Sequence, residues 1–302
     1  ILLVAAVPFL VALFFSTQLV MKEVTVVKQL SDLQQLTTLS VKMAGLVHEQ
    51  QKERGATAVF VGSMGGKFRS ELLAQRTATN TKREELKAFL STFAAGDYDA
   101  KFNEKYTAWL ATLEKLNDTR GQVDELSISA ANAIAYYTGL NAQNLDLIAY
   151  MANLSQDPHI VTSIVGYANF MQGKERAGIE RAVGASGFAA GKFQVSVLDK
   201  FKSLIGAQAT YNDIFLSFAT EGQKKTYNEV MNGDAAKEVE RMRGVAIAGG
   251  LEGNLEGIAG SQWFDTITKK IRGLKQIEDS LANDLTALMG GIADKATVSE
   301  QS

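Results

Sequence analysis

Lys52-Glu53-Arg54-Gly55-Ala56, followed by Gly66-Lys67-Phe68, returns further along the chain as Lys174-Glu175-Arg176-Ala177-Gly178, followed by Gly191-Lys192-Phe193. A related run comes after each copy: Phe68-Arg69-Ser70 leading to Gln75, then Phe201-Lys202-Ser203 leading to Gln208. Each phrase closes one expected helix, and the next helix opens on or just after Gly-Lys-Phe. The chain therefore reads as two duplicated helical hairpins. Each copy sets an arginine on a helix face that is mostly apolar or small, where a cation needs a partner.

Working outward, apolar residues recur at three- and four-residue spacings, and alternating strand-like runs are scarce. The expected class is all-α. Leu30, Leu33, Leu36, Met43 and Val47 carry a first helix to about Val61, where Gly62-Ser63-Met64-Gly65-Gly66 stops it. Further helices are expected over 67–93, 100–118 and 123–154. Asp157-Pro158 then forces a turn. The second phrase falls on a helix over 160–184, ended by Ser186-Gly187, and another helix covers 192–220. Shorter segments follow over 223–231 and 235–248, then a glycine-rich loop over 249–260. Ser261 is placed to cap a last helix, with Trp263-Phe264 as its core anchor.

Ile1 to Val20 carries no formal charge, and Lys22 and Glu23 follow at once. An apolar run of that length reads as a membrane-spanning helix over 1–21. The 302 residues are 46% hydrophobic and 21% charged, which is ample for a packed core. The net charge of -2 gives no reason to expect a nucleic-acid partner. Cysteine is absent and there are two histidines, His48 and His159, so thiol chemistry is excluded and a histidine-based site would need nearly the whole supply. With no phosphate loop, metal cluster or nucleophile constellation in view, neither a cofactor nor an enzyme is expected.

The face of Arg54 holds Val47, Gln50, Gln51, Thr57, Ala58 and Val61; that of Arg176 holds Asn169, Gln172, Gly173, Ile179, Glu180 and Val183. Two arginines meeting between packed helices would repel each other. A small planar oxyanion would relieve this, since guanidinium offers a matching donor fork. Pairing with Glu53, Glu175 or Glu180 is the competing reading. Arg54 and Arg176 are the candidate ligand-binding residues, with Gln50, Thr57 and Gly173 as neighbours. Arg181 lies on another part of its helix and reads as a salt-bridge former.

From Gln51 to Leu281 the chain resembles the nitrate- and nitrite-sensing domains of bacterial receptors. The resemblance rests on Lys52-Glu53-Arg54-Gly55, Phe68-Arg69-Ser70 with Gln75-Arg76, Gly173-Lys174-Glu175-Arg176-Ala177 with Glu180-Arg181-Ala182, and Trp263-Phe264. It implies two stacked four-helix bundles sharing long helices over 22–300, with nitrate or nitrite held near Arg54 and Arg176. It also implies an output module, such as a methyl-accepting signalling region or an RNA-binding antiterminator. Combined with the anchor, the expectation is the periplasmic sensor of a chemoreceptor in the inner membrane. That receptor would be homodimeric and relay a helix shift across the bilayer. The alternative is a membrane-anchored helical module that only dimerises or docks a partner.

Overall fold

The computed structural model describes residues 2–299, with side chains over 11–294. Among the described residues every regular element is helical. The helices are α1 (Leu2–Gly62), α2 (Arg69–Leu90), α3 (Ala100–Glu114), α4 (Leu116–Asp124), α5 (Ala130–Tyr150), α6 (Pro158–Ala189), α7 (Val195–Phe218), α8 (Glu221–Met231), α9 (Asp234–Gly249) and α10 (Gly260–Ser299).

Local chemistry sets the boundaries. Gly65, at φ +77°, turns the chain after α1. Asp157 caps α6 through the amides of His159 and Ile160, with Pro158 opening the helix. Thr220 and Gln223 form a reciprocal capping box on α8. The expected helix over 123–154 starts later, because Leu126 adopts φ +54° and the Ser129 hydroxyl caps α5 through the amide of Asn132. The expected stop at Ser186-Gly187 does not occur. Gly187 serves close packing there: a Cβ on it would lie 2.4 Å from the Phe193 ring.

The chain folds as a helical bundle with three apolar clusters. One gathers residues of α1, α2, α4 and α5 around Phe60, Leu72, Val123 and Ala133. Another gathers α6, α7, α9 and α10 around Phe188, Phe201, Met242 and Trp263. A long central cluster joins them, running from Leu36 to Met289. The internal repeat is thus five helices long, with α1–α5 answered by α6–α10. At the second end the Trp263 indole lies against α6, where a Cβ on Gly184 would sit 2.4 Å from it. Gly184→Ala is expected to cost about 1–3 kcal/mol by overpacking, read as a lower urea midpoint.

The expected membrane helix over 1–21 lies in large part outside the residues whose side chains are described. The side chains of residues 1–10 lie outside the described ones. From residue 11 the apolar part of α1 is short before Lys22 and Glu23, and among the described residues no helix is long and apolar enough to cross a membrane.

Candidate functional site

Each half of the molecule buries one glutamate completely and clamps it. Glu53 on α1 accepts Arg120 Nε and Nη2 of α4 at 2.7 and 2.8 Å, and the Tyr137 hydroxyl of α5 at 2.7 Å. Glu180 on α6 accepts Arg243 Nε and Nη2 of α9 at 2.6 and 2.7 Å, and Gln208 Nε2 of α7 at 2.7 Å. Both glutamates have zero exposure. Burial pushes the Glu53 carboxyl upward, but the hydrogen bonds and charge of Arg120 outweigh it and hold the group below the usual range. The matching pairs of the repeat are therefore Glu53-Arg54 and Glu180-Arg181.

Adjacent helical residues point about 100° apart, so locking each glutamate into its own half turns the following arginine elsewhere. Arg54 and Arg181 both turn onto the α1–α6 face, where they border one cavity of about 470 Å³. Arg54 is buried; its Nη1 donates to Glu175 Oε1 at 2.5 Å and to Thr138 Oγ1 at 3.1 Å, and its Nη2 to Glu175 Oε2 at 3.3 Å. Arg181 donates to Thr268 Oγ1 at 3.1 Å, lies over the Phe264 ring at 4.8 Å, and makes no ion pair among the described residues. Burial and the neighbouring Arg54 charge pull its guanidinium down to about 10. Glycines make room for this crossing. A Cβ on Gly178 would lie 3.2 Å from Arg54 Nη2, and one on Gly55 3.9 Å from Arg181 Nη2.

Of the residues singled out by sequence, Arg54 borders the cavity and Arg176 does not meet it. The Arg176 guanidinium bonds the Gln172 side chain and lies 4.9 Å over the Tyr211 ring of α7. Gln50 and Thr57 are fully buried on α1 but absent from the cavity wall, which holds Gln51. Gly173 admits α7 instead, since a Cβ there would lie 2.8 Å from Asn212 Oδ1. Sequence reasoning did not place Arg181 at this cavity, although Ala177, Gly178, Gly184 and Ala185 surround it on its helix and leave that face as open as an inward arginine needs. The expected competitor, a carboxylate partner for the inward arginine, is realised by Glu175.

Glu175 also opens a polar chain. It accepts Gln51 Nε2 at 2.7 Å, and Gln51 Oε1 accepts Lys174 Nζ at 3.3 Å. Lys174 donates to Glu278 of α10 at 2.7 Å and lies 3.2 Å from His48 Nδ1. Burial, with the Lys174 charge beside it, lowers His48 to about 3, so it is neutral near pH 7.

The family model for nitrate and nitrite sensing matches residues 45–286. The chain belongs to the nitrate and nitrite sensing family. A nitrate regulatory protein of Klebsiella oxytoca is 29% identical over 263 residues, covering 85% of this chain and 64% of that protein. The chain thus spans less than two thirds of this curated relative. The solved structure of the NasR transcription antiterminator superposes with a TM-score of 0.79 at 28% identity, covering 88% of this chain and 72% of that one. These relatives overturn the expected membrane-anchored chemoreceptor, with its inner-membrane location, periplasmic sensor and membrane partner. They are a regulatory protein and a transcription antiterminator. The exclusion of nucleic acid falls as well. A net charge of -2 describes this chain alone, and a relative that is longer than the matched region is a transcription antiterminator.

Proposed function

We propose that this chain is a nitrate- or nitrite-binding sensor whose anion sits between Arg54 of α1 and Arg181 of α6, and that it works by binding without turnover. The charge count of the site carries the reading. Two guanidiniums face the cavity and one carboxylate, Glu175, answers them. The site is short of one negative charge, which a planar monovalent oxyanion supplies with oxygens matched to both donor forks. The walls offer no carboxylate or histidine to act as acid or base.

Binding would shift an equilibrium only through a difference in affinity between two arrangements. An anion that bridges Arg181 to Arg54 shares the Arg54 guanidinium with Glu175. The shift of Glu175 would then be felt through Gln51 and Lys174 at Glu278 on α10. In this reading the two ends act as four-helix bundles, and the long helices α1, α6 and α10 couple them. The names of the two relatives support an output in gene regulation.

Thermal unfolding of the chain with nitrate, nitrite or chloride at constant ionic strength tests the binding. Nitrate and nitrite are expected to raise Tm with the logarithm of their concentration above Kd, with about 2.7 kcal/mol of stabilisation at a hundredfold excess over Kd. Equal shifts with all three salts would remove the sensor reading.

A further inference from the structure

The cavity is too large for the anion that its charges call for. A water molecule takes up about 30 Å³ of liquid, and a nitrate, with four heavy atoms, only a few times that. The cavity measures about 470 Å³, within the range of pockets that hold whole organic molecules. Its polarity is also uneven. Arg54, Arg181, Gln51 and Ser186 supply its polar lining. Val59, Ile134, Ile179, Val183 and Phe264 supply apolar wall. Val59, Ile134, Ile179 and Val183 are all half-buried, so the space is reached from solvent and its apolar surface is not yet covered.

We infer that the same cavity binds organic monocarboxylates with an apolar body of about four to seven carbons, the carboxylate on Arg181 and Arg54 and the body against Val59, Ile134 and Ile179. This rests on the proposed anion site and names a second ligand class for it. A carboxylate shares with nitrate the planar pair of oxygens that a guanidinium fork grips. What nitrate lacks is anything for the apolar wall to touch. Burial of each further methylene there is expected to tighten binding about fourfold. The two classes must exclude each other, because they use one pair of arginines.

Titration calorimetry on the full chain with sodium acetate, butyrate, hexanoate and benzoate, at constant ionic strength, tests this. Affinity is expected to rise at least tenfold from acetate to hexanoate. Nitrate should displace hexanoate competitively, and Arg181→Gln should abolish both. Ala58→Leu, which fills part of the wall, should weaken hexanoate about tenfold while nitrate is kept. A flat series from acetate to hexanoate overturns the inference, and so does hexanoate binding that survives Arg181→Gln or ignores nitrate. If the series is flat while nitrate binds through Arg181, the sensor reading stands and only the second ligand class falls. If neither nitrate nor any carboxylate binds, both fall.

Discussion

Replacing Arg181 by alanine is expected to erase nitrate-dependent stabilisation while leaving the ligand-free protein as stable as before. Loss of one charged hydrogen-bonding partner from a desolvated site costs about 2–5 kcal/mol of binding, or about 30-fold or more in Kd. The ligand-free state loses little, because Arg181 pairs with no carboxylate among the described residues and its charge sits beside that of Arg54. Relief of that repulsion and of the desolvated charge offsets the lost Thr268 hydrogen bond and the contact with Phe264, together worth about 2 kcal/mol. Arg54→Ala should lose binding equally and behave oppositely without ligand. It strands Glu175, which is 3% exposed, with only the Gln51 amide. An uncompensated buried charge of that kind costs about 3–5 kcal/mol. Urea unfolding of both variants, with and without nitrate, gives four midpoints. An undiminished nitrate response in Arg181→Ala would remove it from the site. Equal destabilisation of the two variants without ligand would contradict the charge count from which the site was argued.

The all-α class and the turn after Gly62 were legible in the sequence because both depend on local pattern: three- and four-residue spacing, and glycines in a turn. An inward Arg54 was legible for the same reason, since its neighbours on the helix are apolar or uncharged. The second arginine was not. Matching the string Lys-Glu-Arg aligned Arg54 with Arg176, whereas the folded repeat aligns it with Arg181. A string match takes no account of helix face. The face is fixed by partners distant in sequence, Arg120 for Glu53 and Arg243 for Glu180, which lie 67 and 63 residues downstream. Once those clamps are known, Glu175 is seen to serve Arg54 across the interface instead of matching Glu53. The expectation of an inner-membrane chemoreceptor failed differently. Composition alone suggested it, while the relatives are a regulatory protein and a transcription antiterminator.

The clamps give an expected loss of stability as large as that of Arg54→Ala. In Glu53→Gln the side chain keeps its size but loses its charge, and Arg120, 8% exposed, loses its counter-ion. Arg76 adds to the excess, since its Nε lies 4.0 Å from Glu53 Oε1. Breaking a buried pair from one side costs about 3–5 kcal/mol, a large part of the roughly 5–15 kcal/mol that holds a domain folded. Glu180→Gln should do the same through Arg243 at the other end. The loss carries a pH signature at Glu53. Its folded-state carboxyl titrates below its unfolded value of about 4.3. The charge therefore stabilises the fold fully above that pH, and the contribution is lost as pH falls through the folded value. Urea midpoints of wild type and Glu53→Gln should lie far apart at pH 7 and draw together below about pH 4.3. A gap that stays constant into acid would assign the loss to packing. Convergence assigns it to the ionised clamp, whose hold on Glu53 turns the next residue, Arg54, toward the cavity.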